Sequence, residues 1–322
     1  MHKKSTPHQS RLQPAEKVGV PSAATLFRAK IVDEMSYNLV RRATDRLKPI
    51  LWLRDGVAVK KIQAAGTPHE LLALVPLAAG LGEHAWHDRM RQFDATALPL
   101  IGQALKEASK TKDQDVPLQT QERLITELRW RGEAGAQVLL DCFTSLDDYG
   151  KSLASVVLGL LGKREASGRI WNYYQKAMRD RRESHFVGAL WGLIDLKDTR
   201  AASALFELLV ELRDFYELYG FLSLAGDARA VIPLLTQVNS LPEGEKGDPF
   251  MAVVSIAHRL GRQALLAELG RSPAPEGAGE QVTSVVEMIL SRSPGEAQEW
   301  FSLFYRGFKP DDVPGTFGEM GM

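Results

Sequence analysis

One cysteine, Cys142, stands in 322 residues, so no intrachain disulfide is possible, and a reducing compartment fits. It sits in the apolar run Val138-Leu139-Leu140-Asp141-Cys142-Phe143 and reads as a buried structural thiol rather than a nucleophile. Long hydrophobic runs are also missing. The longest, Leu71 to Leu81, is broken by Pro76 and Gly80, far short of the ~20 residues a membrane span needs. Met1-His2-Lys3-Lys4-Ser5-Thr6-Pro7 is basic but lacks the apolar core of a signal peptide. These absences predict a cytoplasmic chain with no membrane partner. No segment alternates with period two long enough to argue a strand. No Gly-rich phosphate loop, nucleophile elbow or zinc-ligand quartet is present, so no catalytic residue and no cofactor are assigned.

Net charge is lacking too: 40 Lys+Arg balance 40 Asp+Glu. The zero hides an asymmetry. Residues 1–61 hold 13 basic against 5 acidic side chains, a net of +8, and the remainder is net −8. A basic head can attract phosphates or acidic partners; the plainer reading is a solvated tail and a first helix with a charged outer face. At 44% apolar and 25% charged residues, the composition is that of a globular chain, not a disordered one.

Residues 1–25 carry Pro7, Pro14 and Pro21 among polar groups and are expected to form a disordered basic tail. From Leu26 a helical face begins with Ile31, Met35, Leu39 and Leu47; Arg41, Arg42 and Arg46 point to solvent, and Pro49 is expected to end or kink it. Thr67-Pro68-His69-Glu70 is a capping box that predicts a helix to about Leu81. Lys106 to Gln119 reads as an exposed connector. Ser293-Pro294-Gly295-Glu296 is another capping box, opening a helix whose stripe is Ala297, Trp300, Phe301, Phe304, Tyr305 and Phe308. That face is expected to dock on the last repeat and close the end of the stack; the other reading is an exposed partner-docking helix. From Gly307 onward a flexible tail is expected.

What is there, above all, is a phrase recurring every thirty-odd residues. It is clearest as Gly226-Asp227-Ala228-Arg229-Ala230-Val231-Ile232-Pro233-Leu234-Leu235. Its openers are Glu133, Glu165, Asp198, Asp227 and Arg262, at steps of 32, 33, 29 and 35. Asp227 can cap its helix, Ala230 allows close approach, Pro233 bends the helix, and Val231, Leu234, Leu235 and Val238 make a buried stripe. One such pair cannot bury its apolar face alone, so units must stack. The phrase resembles HEAT-like repeats, closest to the short bacterial, phycobilisome-lyase-like type. The likeness covers roughly residues 94–270, with Asp94 to Leu105 as a divergent copy. It implies an all-α, right-handed α-solenoid of stacked antiparallel helix pairs. The expected organisation is a tail (1–25), an N-terminal helical region with a divergent repeat (26–118), HEAT-like repeats (119–270), and a C-terminal capping helix with a flexible tail (271–322).

Three constellations compete for function. His84 and His87 are spaced to share a helix face and offer two metal positions, without a third ligand in sight. Lys163 to Arg182 interleaves Arg169, Lys176, Arg179 and Arg181 with Trp171, Tyr173 and Tyr174, as a nucleic-acid surface would. Yet Trp171, Tyr174 and Met178 keep core spacing. Asp147-Asp148 reads as a solvated cap. The expected function is a non-catalytic scaffold or adaptor binding a protein partner through the concave face. Tyr149, Arg182, His185, Tyr216, Trp300 and Tyr305 are the candidate contacts. The alternatives are a HEAT-like lyase or isomerase acting on a bound chromophore, and nucleic-acid binding by residues 1–61 and 163–182.

Overall fold

The computed structural model describes residues 20–32, 48–111, 115–179, 185–211, 215–271 and 278–308. Among them are eighteen α-helices, several short 3-10 turns and no strand. The helices are α1 (Ala23–Val32), α2 (Lys48–Ala64), α3 (Pro68–Ala73), α4 (Leu81–Met90), α5 (Ala97–Ala108), α6 (Asp115–Trp130), α7 (Gly132–Cys142), α8 (Asp148–Leu160) and α9 (Ser167–Arg179). They continue as α10 (Phe186–Asp195), α11 (Arg200–Val210), α12 (Leu218–Ala225), α13 (Val231–Ser240), α14 (Gly247–Leu260), α15 (Arg262–Gly270), α16 (Ala278–Leu290), α17 (Pro294–Trp300) and α18 (Ser302–Tyr305). The all-α expectation holds.

Local chemistry sets the helix starts. Thr67 accepts the Glu70 amide at 3.2 Å, and the Glu70 carboxylate reaches back to the Gly66 amide at 2.8 Å. Asp147 accepts the Gly150 amide at 2.8 Å to cap α8. Ser293 and Glu296 complete a capping box at α17. Each satisfies amides that a first helical turn leaves free.

The repeat openers do more than cap. Asp198 and Asp227 accept the amides of Arg200 and Arg229 at 2.9 and 3.0 Å and pair with the same two guanidinium groups. Those arginines then reach the preceding repeat, Arg200 to Ser167 at 2.7 Å and Arg229 to Ser203 at 3.0 Å. One step earlier, Lys163 pairs with Glu133. The recurring phrase thus links α9 to α11 and α11 to the turn before α13, and Lys163 links α7 to the turn before α9.

Several boundaries differ from the sequence reading, each for a local reason. Residues 23–25, expected in the tail, belong to α1, where Ala24 and Thr25 are buried. Pro49 lies within α2, and residues 33–47, which would show whether it ends or kinks the first helix, lie outside the described residues. The helix opened by Thr67 ends at Ala73, because Pro76 forces a 3-10 turn over Val75–Leu77. The expected connector at 106–119 is shared by the end of α5 and the start of α6. The aromatic helix breaks at Phe301 (φ −98°, ψ 34°) into α17 and α18. Residues 1–19, 33–47 and 309–322, which hold much of the expected tail and first helix, lie outside the described residues.

From α5 to α12 and from α13 to α16 each helix packs on the next, and several alternate helices touch as well. The even-numbered pairs α6/α8, α8/α10, α12/α14 and α14/α16 are in contact, as are the odd-numbered pairs α5/α7, α11/α13 and α13/α15. Helices α8 and α10 approach closely. A Cβ on Gly188 would lie 2.3 Å from the Ser152 carbonyl oxygen, and one on Gly192 2.5 Å from that of Ser155. Only glycine permits that distance. The core follows the even helices, with Leu153, Val157, Leu190, Trp191, Phe221 and Ile256 all fully buried. The first and the last described helices return to these helices. The N-terminal α1 packs on α8 and α10, α18 on α12, and α17 on α14.

Candidate functional site

The two returning ends meet around Arg28. This residue is 1% exposed, and burial of a guanidinium is costly unless every donor is used. Arg28 Nε and Nη2 donate to the two Asp195 carboxylate oxygens at 3.0 and 2.8 Å, and Nη1 donates to the Arg306 carbonyl at 2.9 Å. The flat cation lies between the rings of Trp191 (4.2 Å) and Phe308 (4.6 Å), a stacked arrangement that suits arginine and not lysine. Burial pushes the Asp195 carboxyl above its ordinary range, against the pull of Arg28. One helical turn earlier, Thr25 donates to Glu217 at 2.8 Å and accepts the Trp191 indole N–H at 2.9 Å.

The C-terminal half of this clasp is aromatic. Phe304 stacks on Trp191 at 5.6 Å and meets Phe221 edge-on at 5.8 Å. Its ring fills the space over Gly220, where a Cβ would lie 2.6 Å away. Tyr305 places its hydroxyl 2.8 Å from Ser223 and 3.4 Å from Ser255. The aromatic segment therefore docks on α14 of the last repeat pair through α17 and Tyr305, as expected, and runs back across α12 and α10 through Phe304.

A second polar network joins α1 to α4 and α6. Lys30 Nζ bridges Glu83 and Glu122 at 2.8 and 3.0 Å. Burial alone would depress its pKa; the two carboxylates outweigh that and raise it. Tyr149, half-buried nearby, is pushed up to about 12 by burial, with the Glu122 charge adding to it. Deeper in, His87 is fully buried and meets Trp130 edge-on at 4.6 Å. Its Nδ1 lies 2.9 Å from Glu127 Oε2, and Arg131 Nε holds the other Glu127 oxygen at 2.9 Å. Burial lowers the His87 pKa although Glu127 works the other way. The neutral ring then donates from Nδ1, and its Nε2 has no hydrogen-bond partner among the described residues.

The third feature is open. A groove of about 500 Å³ runs between α14 and α17, lined by Gly247, Phe250, Met251, Arg292, Glu296, Glu299 and Trp300. Trp300 is 56% exposed yet fixed in place, its indole N–H donating to Asp248 at 2.7 Å. Its ring lies over Gly247, where a Cβ would come within 2.6 Å of it.

The structure scatters the residues singled out from sequence. Tyr216 (39% exposed) and Tyr305 come together around Phe304, with Tyr216 stacked on that ring at 6.2 Å. His185 precedes α10, its carbonyl accepting the Tyr173 hydroxyl at 3.2 Å. Tyr149 belongs to the Lys30 network and Trp300 to the groove. Arg182 lies outside the described residues. His84 and His87 share α4, but His87 faces Glu127 inside, and no group of three potential metal ligands gathers among the described residues. In the basic 163–182 segment, Trp171 and Tyr174 stack on each other at 5.3 Å, and Arg169 bonds the Leu140 carbonyl. Asp147 is the cap of α8. Burial raises the Cys142 thiol to about 11, the opposite of an activated nucleophile.

Sequence reasoning missed Arg28 and Asp195 altogether. One usable signal was present: Gly188 and Gly192, four apart in an apolar helix, mark a face meant for close contact. No described helix is long and apolar enough to cross a membrane. No family model matches the chain, and no curated protein or solved structure matches it.

Proposed function

We propose that the chain is a non-catalytic adaptor built as a right-handed, HEAT-like α-solenoid, binding a protein partner in the cytoplasm. The stacking rests on the alternating helix contacts and on the links Lys163–Glu133, Arg200–Ser167 and Arg229–Ser203, which join one helix pair to the next. The lone buried Cys142 supports a reducing compartment.

The face made by α8, α10 and α12 is covered by the chain's own α1 and by residues 301–308, so on this reading the partner's foothold lies beyond them, at α14 and α17. The observation that carries the reading is Trp300, a large aromatic held exposed and rigid by Asp248 beside an apolar groove. Tryptophan is among the residues that concentrate binding energy in protein interfaces once a partner covers it. Glu296 and Glu299 outnumber Arg292 at the rim, so the fitting segment carries an apolar anchor and a basic flank.

A photo-crosslinker placed at Glu299 tests this in cells. The expected result is a discrete protein adduct that disappears with Trp300→Ala and weakens with Glu296→Lys. An adduct pattern indifferent to both substitutions refutes the reading. Small-angle scattering tests the architecture separately, since a solenoid gives an elongated particle and a compact sphere sinks it.

A further inference from the structure

Helix α2 carries an exposed stripe that nothing above uses. Ile50, Leu53 and Val57 are 68%, 89% and 70% exposed, and their i, i+3, i+7 spacing puts them on one face. The opposite face is anchored: Asp55, Gly56, Val59 and Ile62 are buried where α2 packs on α4. The stripe is therefore the outer side of a fixed helix, held open to solvent.

Its flanks are cationic. With about 100° of turn per residue, Lys60 and Arg54 lie about 60° to either side of Val57. Lys48 and Lys61 are exposed as well. The one acid of the helix, Asp55, is turned inward. Its carboxylate accepts the Leu81 amide at 3.1 Å and pairs with Arg54 at 2.6 Å. The outward surface of α2 thus holds apolar groups and cations and no carboxylate. It also lies within the part of the chain that carries the +8 excess.

We infer that this face of α2 docks shallowly on an anionic lipid surface. Aliphatic side chains with Lys60 on one side and Lys61 and the Asp55-paired Arg54 on the other match such an interface: the apolar groups enter between the headgroups and the lysines reach the phosphates. A partner helix fits less well. A coiled-coil seam is sustained over three to four heptads, whereas this one has three large residues before Lys60 takes the next position. The sequence expectation of no membrane partner rested on the length of a span, and surface docking needs none. The inference is independent of the adaptor reading, because α2 and the Trp300 groove share no residue.

Co-sedimentation of the full chain with phosphatidylcholine vesicles, with and without about 30% phosphatidylserine, tests it. The wild type is expected in the pellet only with the anionic vesicles. The triple variant Ile50→Ser, Leu53→Ser, Val57→Ser should lose at least about tenfold in partitioning. Lys60→Gln with Lys61→Gln should lose roughly 30-fold. All three proteins should share one melting temperature, since the altered side chains point outward. Absence of binding to anionic vesicles overturns the inference. So does full binding by the serine variant, which would assign the effect to basic residues elsewhere. A third arm uses a synthetic Leu/Glu heptad peptide: a stripe that takes the peptide while ignoring vesicles is a protein-docking face, and the lipid inference is wrong.

Discussion

Arg28 and Asp195, 167 positions apart in sequence, are joined by two hydrogen bonds of 2.8 and 3.0 Å with both side chains almost wholly buried. The same guanidinium reaches Arg306, 278 positions away. One side chain thereby ties the first described helix, a central repeat helix and the C-terminal segment into a single unit.

Arg28→Ala is expected to destabilise the protein by about 3–5 kcal/mol, because it strands the Asp195 carboxylate in an apolar setting. Arg28→Lys should recover little, since an ammonium offers neither the paired donors nor the flat surface held between Trp191 and Phe308. Asp195→Asn combined with Arg28→Met should cost less than the two changes separately, as the unpaired charge is then gone. Urea denaturation midpoints at constant slope measure all of these. A loss under about 1 kcal/mol for Arg28→Ala would mean that the pair is open to water.

That clasp marks the border of what the sequence discloses. Caps are local chemistry spread over three or four residues, so Thr67, Asp147, Asp227 and Ser293 could be read directly, and all four accept the expected amides. The stacking links are periodic, so Asp198 and Asp227 announced themselves even though their arginines' reach to Ser167 and Ser203 did not. Arg28 and Lys30 obey no period. In the sequence they belong to a charged helix face, and only carboxylates from distant segments turn them inward: Asp195 makes the burial of Arg28 tolerable, and Glu83 and Glu122 hold the half-exposed Lys30. The stripe on α2 escaped for a different reason. Leu53 and Val57 look like core residues in a sequence, and solvent exposure has no local signature.

Gly192→Ala is expected to cost more than an ordinary glycine-to-alanine change in a helix, which by propensity alone would stabilise by up to about 1 kcal/mol. The new Cβ would stand 2.5 Å from the Ser155 carbonyl oxygen, a backbone atom with no room to rotate away. Gly168→Ala is the control, because nothing lies within 4 Å of its Cβ. Thermal midpoints should fall for Gly192→Ala and hold or rise for Gly168→Ala. Equal effects at the two sites would show that α8 and α10 are not packed this closely.

The buried His87 sets an acid limit. Its folded-state pKa lies below the ordinary value near 6.5, so between those two values the unfolded chain binds the extra proton and stability falls as pH drops. The slope for one such group reaches at most about 1.4 kcal/mol per pH unit. His87→Gln keeps a donor for Glu127 and has no proton to gain, so its stability should be flatter as pH falls below 6.5. Wild-type stability that is level across this window would place the imidazole in water instead. Below the ordinary carboxyl range a separate loss sets in, because Arg200 holds Asp198 down to about 2 and its contribution disappears as pH falls toward that value.

Phe304→Ala tests whether the two chain ends behave as one unit. A buried phenylalanine truncated in a rigid core costs about 3–5 kcal/mol. Phe304 sits on a short terminal helix, however, and such a segment can open locally, which caps the cost at its docking free energy. Its release would also remove the Arg306 carbonyl and the Phe308 ring from Arg28, leaving α1 held by Asp195, Glu217 and the Lys30 pairs. Hydrogen exchange should therefore accelerate in α18 and α1 together while α14 and α15 keep their protection. Tyr216→Ala, which removes a half-exposed ring from the far side of Phe304, should produce the same paired pattern at smaller amplitude. Faster exchange in α18 with α1 unchanged would show that the two ends dock on the repeat helices independently, with Arg28 held by Asp195 alone.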